Sequence, residues 1–275
     1  MRTIWKGAIN FGLVNIPIKL KTATTKKNIS FRNLHAKCNT PVKMKRYCPT
    51  CEEEVSYDEI VKGYEYEKNK FVILDDEDFD NIPVKSTRTI DIVNFVKLNQ
   101  IDPIYYIKTY YLEPAKGGEK PYLLLKNSLD STDKVAISRI TIRSKESLAV
   151  IRVMEETLAL ETMFFAEEVR SPEELPIKDI ENKIQIKPDE EKLAVEIINN
   201  LTDEFEPEKY ENQYKEELMQ IIRNKIEGEE VEVPDIEEQD RKVIDLMEKL
   251  KASVEASEKR EEQKKRDKKK ETVTG

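Results

Sequence analysis

Short runs of alternating hydrophobic and polar residues occupy the N-terminal part of the chain. Between Thr3 and Lys21, apolar positions alternate with polar or turn residues, which is typical of β-strands. Further runs rich in β-branched and aromatic residues lie at residues 71–74, 89–96, 105–112 and 135–142. Only residues 120–129 in this region have a helical pattern. Because the strands are short and do not alternate regularly with helices, the pattern predicts an antiparallel barrel or sandwich.

Helical periodicity replaces this pattern after Pro172. One apolar stripe runs through residues 193–201, and a second runs through residues 210–222 and ends near Gly228. A third predicted helix begins near Ile236, and its apolar positions step by four, three and four residues. These positions are Val243, Met247, Leu250 and Val254. The first two stripes predict helices that pack on the body of the protein, and the third is too short to establish a coiled coil.

The composition favours a folded protein with highly charged surfaces. A length of 275 residues suffices for one or two domains, and charged and hydrophobic residues make up 37% and 38%. No apolar run approaches the roughly 20 residues of a membrane span. Pro17 and polar residues interrupt the apolar stretch at the N-terminus, and no small-residue cleavage site follows, so we expect no signal peptide. We therefore expect a cytoplasmic protein with reduced cysteines and no membrane partner.

Charge is segregated along the sequence, although the net charge is −8. Residues 1–51 contain eleven Lys or Arg and no Asp or Glu, and the first acidic residue is Glu52. Residues 259–270 hold eight basic and three acidic side chains, while the segment between carries the acidic excess. A basic segment can neutralise phosphates, whereas an acidic one is repelled by them. The distribution indicates a nucleic-acid-binding N-terminus, with a solvated basic surface as the simpler alternative.

The only histidine and all three cysteines lie within seventeen residues, as His35, Cys38, Cys48 and Cys51. Each pair has two intervening residues, and two such pairs present four N and S ligands to a tetrahedral zinc ion. Alternatives are a surface dithiol at Cys48 and Cys51, one disulfide with a spare thiol, or unrelated buried cysteines. The thiol and disulfide interpretations leave the histidine at this spacing unexplained, so zinc is favoured. A full shell has no open position for an activated water, and we predict one structural zinc per chain.

The sequence contains no catalytic constellation. With its only histidine assigned to metal, the chain has no Ser-His or Cys-His pair, and it has no Gly-rich phosphate loop. A zinc deaminase is excluded because His35 is followed by Ala36 and Lys37 instead of the His-x-Glu that its chemistry needs. The acidic run at residues 75–78 leaves a metal-dependent nuclease as a lesser alternative. We therefore predict a binding protein that is not an enzyme.

Three segments carry a more specific signal than these general patterns. They are residues 5–20 (WKGAINFGLVNIPIKL), residues 62–68 (KGYEYEK), and residues 101–106 (IDPIYY) followed by Tyr110, Tyr111, Leu112 and Pro114. In this order they resemble the bacterial Ku proteins, and the likeness extends over residues 1 to about 228. The resemblance implies a mixed α and β fold with a Ku-type β-barrel core, a C-terminal helical arm and a homodimeric ring.

The resemblance also implies a function in the repair of double-strand breaks. It implies that the ring binds double-stranded DNA ends without sequence specificity and recruits or stimulates an ATP-dependent DNA ligase of non-homologous end joining. Such a protein is expected to be associated with the nucleoid. The expected segments are a barrel core with the zinc knot at residues 1–170, a helical arm at 171–228, a C-terminal helical segment at 229–258 and a disordered basic tail at 259–275. A zinc-ribbon transcription or adaptor protein is the alternative.

A ring that accepts any DNA end must contact the phosphate backbone, which requires many basic side chains. On this interpretation, the candidate phosphate contacts are Lys19, Lys21, Lys26, Lys27, Arg32, Lys37, Lys43, Lys45 and Arg46. The last four lie inside the zinc segment, so the metal would hold them as a rigid basic projection. Strand alternation predicts that Lys19 and Lys21 share one face. The acidity of residues 52–258 departs from what a DNA-binding ring requires.

Overall fold

The computed structural model describes residues 1–75, 77–78, 88–142, 145–228, 247, 250–256 and 259. It divides into two compact units, Met1–Ser171 and Pro172–Gly275. The strands of the first unit are β1 (Thr3–Phe11), β2 (Val14–Thr22), β3 (Leu34–His35), β4 (Thr40–Pro41), β5 (Tyr47–Cys48), β6 (Glu53–Glu54), β7 (Lys62–Glu67), β8 (Lys70–Leu74), β9 (Thr89–Val96), β10 (Tyr106–Pro114), β11 (Val135–Ile142), β12 (Lys145–Met154) and β13 (Thr157–Met163). Its helix α1 spans Glu119–Thr132.

Seven of these strands close into a barrel in the order β1-β2-β10-β13-β12-β11-β9. Neighbouring strands are antiparallel except at one junction, where β1 and β9 run parallel with Ile9 opposite Ile90. The predicted barrel is confirmed, but its description as antiparallel is wrong at this junction. Local sequence patterns do not reveal the parallel pair because it joins strands that lie far apart along the chain.

Alternation along β2 shows how the barrel is filled. Ile16, Ile18 and Leu20 are buried in the interior, each at most 1% exposed. Lys19 and Lys21 alternate with them and therefore lie on the outer surface. The same interior cluster continues through Ile9, Ile90, Leu112, Ile140, Ile151, Leu158 and Leu160. The barrel is thus a packed core and not a channel.

Helix α1 contributes to this core and is joined to it by one tyrosine. Tyr122, Leu125 and Leu129 face the interior cluster at the helical spacing of three and four residues. The Tyr122 hydroxyl donates to the Leu112 carbonyl over 2.7 Å and accepts from the Leu158 N–H over 2.8 Å. The helix therefore supplies a hydrogen-bond partner for the backbone of two barrel strands, β10 and β13.

Strands β12 and β13 are buried on both faces. Ala149 and Ile151 face the interior cluster, whereas Val150 belongs to a second cluster with Val135 and Met163. Partly buried residues at 96, 101, 105, 106, 137 and 148 pack against this second cluster. Because both faces are covered at the centres of these strands, residues 148–151 and 158–160 form continuous apolar runs, and the alternation that indicates a half-buried strand is absent there.

Three short hairpins lie outside the barrel sheet: β3 with β4, β5 with β6, and β7 with β8. Residues 62–67 of β7 are exposed along their whole length, as are residues 70–73 of β8. These hairpins therefore contribute little to the hydrophobic core. The first two position the cysteines and the histidine.

The second unit is helical in its described part. Its helices are α2 (Ile177–Lys183), α3 (Pro188–Leu201) and α4 (Gln213–Glu227), and residues 250–256 are also helical. The Asn212 side chain accepts a hydrogen bond from the Lys215 N–H at the start of α4, and Gly228 ends the helix with φ of 80°. The helices predicted at residues 193–201 and near Gly228 are confirmed. Most of the predicted segments at 229–258 and 259–275 lies outside the described residues.

None of the helices within the described ranges is long and apolar enough to cross a membrane.

Candidate metal centre and nucleic-acid interface

His35 and Cys38 lie at the ends of one tight turn between β3 and β4. The backbone N–H groups of Cys38 and Asn39 both donate to the His35 carbonyl, over 3.2 and 2.8 Å. Asn39 has a left-handed φ of 52°, which Asn adopts more readily than most residues. The turn places His35 Nδ1 3.2 Å from Cys38 Sγ, so the first predicted ligand pair is brought together.

Cys48 and Cys51 occupy a second turn of the same design between β5 and β6. The Glu52 N–H donates to the Cys48 carbonyl over 2.9 Å, and Glu52 has a left-handed φ of 57°. Cys48 pairs with Glu53 across the hairpin as His35 pairs with Thr40, five residues further along in each case. In both turns the first ligand ends a strand, the second follows three residues later, and a left-handed residue comes next. The backbone therefore repeats one ligand-presenting turn twice.

The three thiols are free and accessible, since Cys38 and Cys51 are exposed and Cys48 is half-buried. No disulfide joins them, and they are not buried core cysteines. Hydrogen bonds from the hydroxyl and backbone N–H of Thr40 lower the pKa of Cys38. The backbone N–H groups of Cys51 and Thr50, followed by the Cys51 side chain, lower the pKa of Cys48. The side-chain hydrogen bond with Cys48, followed by the negative charge of Cys48, raises the pKa of Cys51.

The chemistry of this donor set fits zinc. Zinc takes imidazole nitrogen and cysteine sulfur in tetrahedral shells, and it needs the thiols in their thiolate form. The Thr40 hydroxyl and backbone N–H lower the pKa of Cys38, and backbone N–H groups lower the pKa of Cys48, which favours the thiolate form of both, whereas contact with Cys48 raises the pKa of Cys51. Over the part of the chain that the structure describes, no three His, Cys, Asp or Glu side chains form one metal-binding group. The two ligand pairs are therefore formed separately, and the four-ligand zinc site stays a prediction.

Lys19 and Lys21 lie on the same outer face of β2, as alternation predicted, and both contact Glu113 on β10. Lys19 Nζ lies 3.0 Å from Glu113 Oε1, and Lys21 Nζ pairs with Oε2 of the same carboxylate. The hydrogen bond from Lys21, followed by that from Lys19, lowers the pKa of Glu113. The two lysines therefore share an internal counterion.

The basic residues of the zinc segment differ in their surroundings. Lys45 Nζ lies 2.5 Å from Glu54 Oε2, and the Arg46 guanidinium lies 5.2 Å from the centre of the Tyr57 ring. The remaining candidates, Lys26, Lys27, Arg32, Lys37 and Lys43, are exposed. The structure thus brings Lys19 and Lys21 together on one carboxylate and holds Lys45 and Arg46 beside the second turn. It shows no contact that joins the exposed five into one cluster among the described residues.

Sequence reasoning missed the partners Glu113, Glu54 and Tyr57. The segment that follows the acid-free block is rich in acidic residues from Glu52 onward, which could have indicated local pairing with the last lysines of the block. Glu113 offers no such signal. Its pairing depends on the register that sets Glu113 opposite Lys19, and the two residues are far apart in sequence.

Comparison with known proteins gives a consistent result for this barrel. The family model of the Ku70/Ku80 beta-barrel domain matches residues 10–195. A Symbiobacterium thermophilum protein called "Non-homologous end joining protein Ku" is 48% identical over 261 residues, which cover 94% of this chain and 64% of the relative. Proteins of the same name from Heliobacterium modesticaldum and Bacillus subtilis are 44% and 43% identical. Both alignments cover 92% of this chain, and they cover 91% and 82% of the relatives.

The closed barrel, together with the match of this family model to residues 10–195, defines the class of protein as a Ku-type barrel protein. The chain belongs to the Ku family and is similar to its bacterial members over most of its length.

Proposed function

We propose that the protein binds the ends of double-stranded DNA without sequence preference and acts in non-homologous end joining. The observation that carries this proposal is membership of the Ku family, with relatives named for end joining that are 43–48% identical over at least 92% of the chain. In this proposal the protein is a scaffold for repair at the nucleoid and not an enzyme.

The charge distribution supports phosphate contacts as the source of affinity. Eleven basic and no acidic side chains occupy residues 1–51. Five of the nine candidate contacts, at residues 26, 27, 32, 37 and 43, are exposed side chains without an ion pair among the described residues. Contacts to phosphate carry no sequence information, which suits a protein that must accept any broken end.

The decisive experiment compares linear and covalently closed duplexes of the same sequence at one salt concentration. Binding by threading requires a free end, so we expect strong binding to the linear form and weak binding to the closed form. Affinity should fall steeply with salt, because each neutralised phosphate contributes about 0.9 to the slope of log affinity against log salt. Equal affinity for the two forms would remove the end-binding proposal.

We further propose that the DNA-binding form is a homodimeric ring and that it recruits an ATP-dependent DNA ligase of end joining. The ring is what the resemblance to the bacterial Ku proteins implies, and relatives named for end joining, a process that needs a ligase, support the second part. Sedimentation of the free protein should give twice the chain mass of 32.2 kDa. Joining of linear DNA by the purified ligase should increase when the protein is added. A monomer at micromolar concentration, or unchanged ligation, would remove the corresponding part.

A structural zinc ion in each chain is part of the same proposal. His35, Cys38, Cys48 and Cys51 would hold it, and its role would be to stiffen the basic segment that contains Lys37, Lys43, Lys45 and Arg46. The fit of the two ligand pairs supports this role. A full shell of four protein ligands leaves no position for a reactive water, so the metal would be structural.

The two turns that carry the predicted zinc ligands favour one other candidate function, that of a zinc-ribbon transcription or adaptor protein. Such a protein would read one DNA site or bind only protein. Competition with scrambled blunt duplexes distinguishes the two functions, since an end-binding protein is displaced equally by every sequence.

The nuclease alternative is tested by long incubation of end-labelled DNA with magnesium or manganese, in which we expect every end to remain intact.

A further inference from the structure

Glu113, on the outer surface of the barrel, forms ion pairs with both lysines of strand β2. Lys19 and Lys21 both direct their ammonium groups at this one carboxylate, at 3.0 Å for Lys19. The side chains of Lys19, Lys21 and Glu113 are 37%, 24% and 36% exposed. The cluster is therefore accessible to a polyanion and is already neutralised in part.

We propose that Glu113 is a built-in competitor of DNA phosphate on this face of the barrel and that it limits the affinity of the protein for DNA. The inference rests on the proposed DNA binding and goes beyond it by naming the residue that sets its strength. Lys19 and Lys21 become phosphate contacts only to the extent that the DNA displaces Glu113.

The geometry supports competition because a carboxylate and a phosphate present the same kind of ligand to the two lysines. Each offers two oxygens that carry a shared negative charge, and each binds an ammonium group at hydrogen-bond distance. Lys19 and Lys21 occupy separate oxygens of Glu113, as they would occupy separate oxygens of one phosphate. The two lysines cannot bind the Glu113 carboxylate and a phosphate at this distance at the same time, because the two anions repel each other.

Competition also predicts a distinctive salt dependence. DNA releases condensed cations when a lysine neutralises a phosphate. If that lysine leaves Glu113, the freed carboxylate attracts cations from solution, and part of the gain is cancelled. Removing the carboxylate should therefore raise both the affinity and the salt dependence of binding.

The chain contains a matched control for the removal of this charge. Glu155, in the turn between β12 and β13, lines the same shallow surface depression as Lys21 and Glu113. It is exposed, and it has no ion-pair partner among the described residues. Glu113→Gln and Glu155→Gln change the net charge equally and in the same neighbourhood, but only the first releases Lys19 and Lys21.

The experiment measures binding of the full-length protein and of both variants to one linear blunt duplex over a series of salt concentrations. For Glu113→Gln we expect several-fold higher affinity at low salt and a slope steeper by about one to two units per chain, since each neutralised phosphate contributes about 0.9. For Glu155→Gln we expect a clearly smaller change in both quantities. An effect of Glu113→Gln no larger than that of Glu155→Gln would overturn the proposal.

A second set of variants shows whether the lysines carry the effect. Replacing Lys19 and Lys21 by Ala should weaken binding slightly in the wild-type background and should abolish the gain in the Glu113→Gln background. A gain that persists without the lysines contradicts competition. If the wild-type protein binds DNA ends and Glu113→Gln binds them with the same affinity and salt slope, this inference alone is removed. If neither protein binds DNA ends, the proposed function is removed as well.

Discussion

The Nδ1 atom of His35 lies 3.2 Å from the Sγ atom of Cys38. The turn that holds these atoms has a left-handed residue at Asn39, and an equivalent turn with Glu52 holds Cys48 and Cys51. Each turn therefore brings two of the four predicted ligands together by its own backbone hydrogen bonds. The proposed zinc site requires in addition that the two pairs meet.

We predict that the purified protein contains one zinc per chain and that Cys48→Ser loses it. A serine hydroxyl is a poor ligand for zinc, and the three remaining ligands do not complete the structural shell. Elemental analysis after gel filtration gives the stoichiometry. Thr50→Ser lies in the same turn, keeps the backbone donors and should retain the metal. Full zinc content in the Cys48→Ser protein would contradict the proposed ligand set.

The spacing of the ligands could be predicted from the sequence, but the turns that present them could not. Two residues between ligands indicate a pair on one tight turn, and the structure has such pairs at His35 and Cys48. The sequence indicates the left-handed conformation of Asn39 and Glu52 only weakly, because Glu, unlike Asn, rarely adopts this conformation. The meeting of the two pairs depends on tertiary structure that neither turn specifies.

The fold divides in the same way between local and long-range information. Strand β2 was predictable because one face is buried and the other is solvated, so that Ile18 and Lys19 alternate. Strands β12 and β13 were missed because packing covers both faces, as at Ala149 and Val150. The ion pair between Lys19 and Glu113 depends on the register of β2 against β10, which no local pattern determines.

Tyr122→Phe should destabilise the barrel unit although it removes a single oxygen. The hydroxyl donates to the Leu112 carbonyl and accepts from the Leu158 N–H, and Tyr122 is 4% exposed. Loss of the hydroxyl leaves the buried Leu158 N–H without this acceptor, at a cost of about 1–3 kcal/mol, while the Leu112 carbonyl keeps the hydrogen bond from the Thr157 hydroxyl. Urea unfolding measures the change. Tyr214→Phe is the control, since Tyr214 is 73% exposed, and equal stability of the two variants would show that the Tyr122 network contributes nothing.

Gly7→Ala should disturb the parallel junction that closes the barrel. A Cβ atom at residue 7 would overlap the Arg88 carbonyl oxygen and the Trp5 ring. The Ala8 N–H donates to that carbonyl over 3.1 Å, so the backbone cannot move away without loss of this bond. We expect a loss of about 1–3 kcal/mol in the free energy of unfolding. Gly63→Ala meets Phe71 at an ordinary distance of 3.5 Å and should be nearly neutral, so similar losses in both variants would contradict the role of the close approach.

The ion pairs of Glu113 should make stability depend on pH in the acid range. Hydrogen bonds from Lys21 and Lys19 place the folded-state pKa of Glu113 below its unfolded value. The unfolded chain therefore takes up the proton first, so the contribution is fully present above the unfolded pKa and is lost as pH falls through the folded pKa. Wild type should be more stable than Glu113→Gln at neutral pH, and the difference should vanish in acid. A difference that does not change with pH in urea unfolding would rule out this linkage.

Exposed lysines without partners should contribute more to DNA binding than lysines that already have a counterion. Lys37 and Lys43 are exposed and have no ion pair within the described ranges, whereas Lys45 lies 2.5 Å from Glu54. Replacing Lys37 and Lys43 by Ala should lower the salt slope of binding by about 0.9 for each lysine that contacts phosphate. Lys45→Ala should have a smaller effect. In the wild-type protein, a phosphate that binds Lys45 takes it from Glu54, and the cations that Glu54 then attracts cancel part of the cation release from the DNA.

Lys70→Ala is the control for this series, since Lys70 pairs with Glu67 at 2.6 Å in the separate β7–β8 hairpin. It should leave the salt slope unchanged. Equal slopes for the Lys37 and Lys43 double variant and for Lys70→Ala would show that the basic segment around the two cysteine-containing turns does not contact DNA. The phosphate contacts would then have to come from other basic residues of the acid-free block, among which Lys26, Lys27 and Arg32 are also exposed.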